Sequence, residues 1–475
     1  MFIYELLTLH QPFEGHESVK ECILEGGRPP LTIRETQQPS YIIDLMVLCW
    51  AQQPKDRPSA SQLVSIASAP EFTHLYDVLP LEAAGGPVLC ACPAPLSLFP
   101  PAGSCEESSE LWLGRGAGRV DMLVASREGH GFVQYSTLPS PHCTVPTAAT
   151  PIGPCIWIGD AIGHVHGLLA SDCSPVFSYA LGSGCVRTIV ELKGLGRVVV
   201  GMSDGSVFLV RSDSLPSSPT RGEGSFVIAR LHSGATALHT LVAVGSDHTK
   251  ECELWCGESK GNISIYRICD GMVTSQEIVN HCEPIIERLE VLHLVSACSA
   301  SADSDEEASV WSYVYPGCVV YHWEAKTRTI LNRLDCSKLV PCSESLKSIS
   351  IEEHLSPGRC QVTSMAIIGS EELYIGTTWG CVIIAERRSM RPITVFRPYE
   401  EEVRVIAQLS HPSSQESCPL IATVGRGYRS LMSRYTDFAL PSTPDDAPLD
   451  ERGEGAKRCS SYVLLWSAGE QWAPL

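Results

Sequence analysis

Along most of the 475 residues, short apolar runs alternate with polar, glycine-containing turns in a recurring unit. The unit reads apolar run, glycine, three variable residues, second glycine, apolar run. Its clearest copies are Leu111-Trp112-Leu113-Gly114 to Gly118, Ile156-Trp157-Ile158-Gly159 to Gly163, Val198 to Gly201 with Gly205, Leu254-Trp255-Cys256-Gly257 to Gly261, and Leu373-Tyr374-Ile375-Gly376 to Gly380. Val310-Trp311-Ser312-Tyr313 to Gly317 lacks only the first glycine, and a weaker copy surrounds Ile421 to Gly427. Counted on the second glycine (118, 163, 205, 261, 317, 380), the steps are 45, 42, 56, 56 and 63 residues.

Two glycines around three variable residues predict a short hairpin loop, because glycine reaches positive φ without steric cost. The flanking runs, such as Arg197 to Gly201 with Val207 to Val210, lack clean alternation. Strands of that kind are covered on both faces, as in stacked blades. A repeat of about 40 to 45 residues with four strands is the signature of a propeller blade. The expected fold is therefore mainly β, a seven-bladed WD40-like propeller. The longer steps require insertions, expected as disordered loops near 212–225, 299–309 and 441–458, where Ser, Pro and charge dominate. Val319-Val320-Tyr321-His322-Trp323-Glu324 is close to the WD signature. Tyr266 takes the Trp position elsewhere, and no inner Gly-His pair is recognisable, so the repeat is degenerate. Tyr462 to Trp466 is the expected closing strand, pairing beside the first blade to remove open edges.

Residues 1–70 have a different period. Phe2 to Leu9, Glu17 to Glu25 (stopped by Gly26-Gly27), Tyr41 to Trp50 (with Ser40 as N-cap) and a segment from Ser59 to before Pro70 read as helices. Ser59 and Gln62 have capping-box spacing. Residues 71–85 are expected to be a linker, and 86–475 the propeller.

The sequence joining these helices is specific. Tyr4-Glu5-Leu6-Leu7-Thr8, then Gln11-Pro12-Phe13-Glu14-Gly15, and later Cys49-Trp50 with Pro54 and Arg57-Pro58-Ser59 resemble the end of the C-terminal lobe of a protein kinase. In that family the arginine at the position of Arg57 pairs with the Glu that closes the activation segment; that Glu is missing here. Trp50, Pro54, Arg57 and Pro58 are thus structural motif residues. Phosphoryl transfer needs a Gly-rich loop, a phosphate-binding Lys, a catalytic Asp and Asn and a metal-binding Asp. None of the corresponding motifs occurs, so the chain is expected to be inactive alone, with no catalytic, cofactor or metal residue of its own.

A kinase tail passing into a degenerate propeller resembles the C-terminus of the leucine-rich repeat serine/threonine kinases of the Roco family, particularly the first of the two vertebrate paralogues. Glu372 to Cys381 adds to the likeness. The resemblance implies a C-terminal fragment, from a truncated product or partial gene model. Its parent would carry ankyrin and leucine-rich repeats, a Roc GTPase with its COR domain, and a full kinase using ATP and magnesium. Such kinases phosphorylate small Rab-type GTPases, self-associate and act in vesicle traffic and signal transduction, in the cytoplasm or on vesicles through partners. The alternative is an independent, non-catalytic WD40-type scaffold or adaptor.

Formal charge is −19, from 35 basic and 54 acidic residues, without a basic cluster. Nucleic acid is therefore excluded as an expected partner. The 21 cysteines lack paired C-x-x-C or Cys/His spacing and sit mostly in apolar strands, which reads as reduced thiols of a cytosolic protein. Met1 to Phe13 lacks the features of a signal peptide. No apolar run reaches the roughly 18 to 20 residues of a membrane span.

Among remaining candidates, Gly114 to Gly118 reads as a blade hairpin because Arg119 to Ala125 continues as strand. A phosphate loop would open a helix. His164 and His166 would face one side of a strand without a third metal ligand. Ser140-Pro141, Ser218-Pro219 and Thr443-Pro444 are Ser/Thr-Pro sites in expected turns or loops. Propeller loops converge on one surface, so proteins are the expected partners, and Trp379 at a hairpin tip is the first candidate for exposure.

Overall fold

In a computed structural model, the apolar runs become strands and the glycine turns join them. The structure describes residues 1–31, 40–94, 108–126, 131–139, 144–192, 195–212, 227–233, 237–245, 251–259, 261–269, 272–281, 291–297, 308–340, 360–409, 419–429 and 460–468. After the helices comes β1 (Leu75–Pro80), followed by six four-stranded sheets formed by consecutive strands. The first sheet holds β2 (Val88–Ala94), β3 (Ser108–Arg115), β4 (Arg119–Ser126) and β5 (Gly131–Pro139). The second holds β6 (Pro146–Ile152), β7 (Cys155–Asp160), β8 (His164–Leu169) and β9 (Pro175–Ala180). The third holds β10 (Val186–Leu192), β11 (Arg197–Met202), β12 (Ser206–Arg211) and β13 (Val227–Ser233). The fourth holds β14 (Leu238–Val244), β15 (Glu251–Glu258), β16 (Asn262–Cys269) and β17 (Met272–Asn280). The fifth holds β18 (Val291–Ala297), β19 (Ser309–Tyr315), β20 (Val319–Glu324) and β21 (Thr329–Asp335). The sixth holds β22 (Val362–Ile368), β23 (Glu372–Thr377), β24 (Val382–Glu386) and β25 (Pro392–Phe396).

A seventh sheet closes the ring: β26 (Val403–Leu409), β27 (Leu420–Arg426), β28 (Ser461–Ser467) and, on its outer edge, β1. The first strands of the seven sheets neighbour one another from β2 round to β26 and back to β2. The fold is a seven-bladed β-propeller. The middle strands are covered on both faces: Val198, Val199, Val200, Val207, Leu209 and Val210 are fully buried.

Closure differs from the sequence expectation. Tyr462 to Trp466 lies in β28, which pairs with β27 on one side and with β1 on the other, in the register Leu75↔Trp466 and Pro80↔Tyr462. The ring is thus closed by a strand from 71–85, the segment expected to be a linker. A lone edge strand ending in proline carries no repeat signal, which is why it escaped the periodicity.

The glycine pair also works differently. Only the second glycine is a turn glycine, with φ of 76° at Gly118, 90° at Gly163, 83° at Gly205, 74° at Gly261 and 71° at Gly380. The first lies inside the second strand of its sheet, where the next blade approaches. A Cβ on Gly114 would lie 2.9 Å from Pro146 Cβ, and one on Gly376 would lie 2.8 Å from Val403 Cβ. Gly159 and Gly201 face Val186 and Leu238 in the same way. Pro146, Val186, Leu238 and Val403 each open the first strand of the following sheet.

The helical head contains α1 (Phe2–Thr8), α2 (Val19–Leu24), α3 (Ser40–Cys49), α4 (Ala60–Ala67) and a short α5 (Pro70–Thr73). The capping box is formed: the Ser59 hydroxyl accepts from the Gln62 amide and the Gln62 side chain accepts from the Ser59 amide. Leu45 and Ile66 centre a small core, while Phe2 (73%), Leu6 (61%), Leu9 (86%) and Val64 (66%) stay exposed. Of the expected insertions, Ser212 follows β12 and Ala308 and Ser309 lead into β19; the rest of 212–225 and 299–309, all of 441–458, and the three Ser/Thr-Pro sites lie outside the described residues.

Two outcomes follow. Gly376→Ala lowers unfolding free energy by about 1–3 kcal/mol in denaturant melts, as overpacking does, whereas Gly182→Ala, whose added Cβ meets only Met202 at 3.6 Å, leaves it unchanged. Limited proteolysis removes residues before β1 while the propeller persists, because the head buries few apolar groups; equal survival of both would contradict this.

Candidate interaction face

Antiparallel order places all turns between second and third strands, and all connections between sheets, at one end of the ring. Loops gathered on a rigid scaffold in this way form the natural contact surface. In the first, second, third, fourth and sixth sheets the turn is set by a positive-φ glycine, and the residues three before and three after it meet on the diagonal of the hairpin. In the first sheet they are Arg115 and Asp121, a buried ion pair at 2.5 Å whose guanidinium also donates to the Gly86 and Glu82 carbonyls. In the second they are Asp160 and His166, at 3.3 Å. In the fourth, Ser264 donates to Glu258 at 2.5 Å. Met202 and Phe208 occupy the same places in the third sheet, and the pairing is apolar.

His164 and His166 both turn to Asp160, with His164 Nδ1 3.5 Å from its carboxylate. Burial raises the Asp160 carboxyl, but the amides of His164 and Ile162 and the His166 ring outweigh it and hold the group below its usual range. The pair belongs to a turn-stabilising cluster. Among the described residues no group of three His, Cys, Asp or Glu is placed to hold a metal.

The fifth sheet holds a network that the sequence reading missed. Trp323 Nε1 donates to Ser312 Oγ at 2.8 Å, and Ser312 Oγ lies 2.9 Å from Nε2 of His281, which sits edge-on to Tyr321. His281 occupies the inner histidine place of a WD repeat, but follows Asn280 instead of glycine. Its position one repeat length before Trp323 was the available signal. Burial lowers its pKa to about 4.

The predicted motif residues fall into two places. Trp379, in the turn between β23 and β24, is half-buried against the core shared by the fifth and sixth sheets, and its carbonyl accepts from Arg397 Nε at 2.7 Å. Part of its surface remains available at the face. Trp50 packs on Tyr4 with ring centroids 5.9 Å apart, and its carbonyl accepts two bonds from Arg28. Pro54 opens a single 3-10 turn, and Pro58 separates it from α4. Arg57 is exposed, donates to the Ala51 carbonyl at 2.9 Å, and pairs with no acid among the described residues. The kinase-like motif and the propeller face are separate features.

Six of the described thiols are buried. Burial pushes Cys92, Cys256 and Cys336 up, and Cys360 up to about 12, so they stay protonated. The described cysteines form no disulfide with one another. Among the described residues no helix is long and apolar enough to cross a membrane.

Residues 307–438 match the family model for the LRRK2 beta propeller. Leucine-rich repeat serine/threonine-protein kinase 1 of Caenorhabditis elegans is 30% identical over 424 residues, covering 88% of this chain and 16% of that protein. The chain belongs to the leucine-rich repeat kinase family. The Mus musculus protein of the same name is 24% identical over 98% of the chain and 23% of its own length. The chain therefore spans less than a quarter of the length of either relative. Mitogen-activated protein kinase kinase kinase 7 of Drosophila melanogaster is 39% identical over 67 residues, 14% of this chain and 9% of that protein. Among solved structures, the WD40 beta propeller domain of Doa1 covers 84% of this chain and 97% of its own, at 10% identity and a TM-score of 0.48.

The buried neutral histidine gives a pH prediction. An unfolded His281 takes up a proton near its ordinary 6.5, while the folded one resists until about 4. Its stabilisation is present above 6.5 and is lost as pH falls through that window, by up to about 3 kcal/mol. Denaturant midpoints for His281→Gln are expected to be lower at pH 7 and to vary less than wild type between pH 6.5 and 4.

Proposed function

We propose that this chain is the interaction module of a leucine-rich repeat serine/threonine kinase, joined to a kinase segment that is non-catalytic on its own. The observation that carries the reading is the junction. The kinase-like head runs through α5 directly into β1, the strand that completes the seventh blade, and the His74 carbonyl accepts from the Ser467 amide at 2.8 Å. The head is thus built into the ring closure. Its exposed Phe2, Leu6 and Leu9 form the kind of surface that the remainder of a kinase lobe covers, which favours this reading over an independent scaffold.

In the parent, ATP and magnesium would supply phosphoryl transfer to proteins such as small Rab-type GTPases, using motifs absent from these residues. The propeller's share is recruitment: the turn face, including Trp379, would hold protein partners or a second copy, and would bring the kinase to vesicles in the cytoplasm.

With radiolabelled ATP, magnesium and a Rab-type GTPase, the purified chain is expected to transfer no phosphate. A longer protein with the upstream lobe restored is expected to do so. Removing residues from 75 onward from that longer protein abolishes association with its partners. Robust turnover by the present chain alone would overturn the reading.

A further inference from the structure

The first strands of six sheets each carry one extra residue near the turn face, opposite the second strand. These register shifts place Leu89, Thr147, Arg187, His239, Thr363 and Arg404 between paired neighbours. A bulge re-aims the side chain it inserts. Here the inserted residues stand at one level around the central channel, and Thr147, Arg187, Thr363 and Arg404 line a cavity of about 330 Å³ within it. This volume is at the small-ligand end of protein pockets.

The cavity's charge is the reverse of the chain's. Formal charge overall is −19, yet the charged side chains lining this cavity are Arg187 and Arg404, with no carboxylate among the lining residues. Arg404 is ion-paired with Glu402, through Nε at 2.7 Å and one Nη at 2.6 Å, and its other Nη donates to the Val88 carbonyl at 3.3 Å, so Arg187 is the cavity's uncompensated cation. Arg187 is exposed and has no acidic partner among the described residues. His239, on the adjoining blade, has its pKa lowered by burial and then by Arg187, so a positive potential reaches it. The cavity of about 520 Å³ between the fourth and fifth sheets has both signs of charge in its lining, Glu251 and Glu253 with Arg267, Lys326 and Arg328. There Arg328 meets Glu253 at 2.8 Å and Glu277 at 3.2 Å.

The ring that carries the two arginines is fixed. Thr147 donates to the Val186 carbonyl at 2.6 Å, Thr150 to Ile189 at 2.7 Å and Thr363 to Val403 at 2.6 Å, each reaching the next blade. Tyr313 donates to the Thr363 carbonyl at 2.9 Å. The guanidinium groups therefore project from a rigid wall, on the third and seventh sheets, and a ligand meeting both must carry more than one anionic group. We propose that the channel mouth binds a small polyanion bearing at least two phosphate groups, gripped between Arg187 and Arg404.

The test uses the full chain with pyrophosphate, inositol hexakisphosphate and magnesium-free ATP as probes, in calorimetry at fixed ionic strength. Wild type is expected to bind at least one probe saturably, with sulfate at equal ionic strength failing to compete. The tightest probe identifies whether the source is an inositol phosphate, a nucleotide or a simple diphosphate. Arg187→Gln is expected to raise the Kd by about tenfold, the scale of one charge-assisted hydrogen bond. The Arg187→Gln, Arg404→Gln double variant should abolish binding, while exposed Arg211→Gln changes nothing. Ligand-free melting of each variant reports on folding, and Arg187→Gln, which breaks no ion pair among the described residues, carries the test if Arg404→Gln unfolds. Absence of saturable binding, or equal binding by wild type and Arg187→Gln, overturns the proposal.

Discussion

The ring depends on a contact between backbone and neighbouring blade at the first glycine of four of its repeats. Seven wedge-shaped sheets must converge on an axis, so the first strand of one sheet presses on the second strand of the sheet before it. At Gly114, Gly159, Gly201 and Gly376 the absent Cβ leaves room for Pro146, Val186, Leu238 and Val403. The same level holds the strand bulges, which add a residue and a local twist where the strands turn toward the axis. The glycine and the bulge are two sides of one packing solution.

The fifth sheet shows what replaces it. Tyr313 stands where the first glycine would be, and β18 pairs with β19 without a register shift. The side chain that blocks close approach instead reaches across, its hydroxyl donating to the Thr363 carbonyl of the next blade. Cohesion between the fifth and sixth sheets moves outward. His322 stacks on Trp311 with ring centroids 4.6 Å apart, Arg387 lies over the same indole, and Asn332 donates to the Arg388 carbonyl. The Trp323, Ser312 and His281 network ties this blade to the end of the preceding one.

What could be read in the sequence follows from this physics. The second glycines were legible because a positive φ in a tight turn demands glycine locally, and Gly118 to Gly380 mark successive hairpins without reference to anything distant. The first glycines carry the same letter for a reason that lies in the next blade, so spacing alone assigned them to the turn. β1 was invisible because it has no repeat partner in sequence, and its place is fixed only by pairing with β28, almost the whole chain away. His281 was hidden by Asn280 standing where the repeat expects glycine. Trp50, Pro54 and Arg57 were readable because their motif is local, although the bond Arg57 makes here, to the Ala51 carbonyl, exists only in the folded chain.

Arg187 and Arg404 had no sequence signal, since each is an ordinary residue in a strand until the bulge turns it to the axis. Their significance comes from comparison with Arg115. A guanidinium as buried as Arg115 requires a partner, and it has Asp121 together with the Gly86 and Glu82 carbonyls. Arg328, partly covered, is likewise matched by Glu253 and Glu277. Arg187 escapes that requirement because it is exposed, so desolvation does not force an acid to its side. An exposed arginine lining a cavity therefore keeps its donors available. The packing that closes the ring thus also sets a fixed positive charge on its axis.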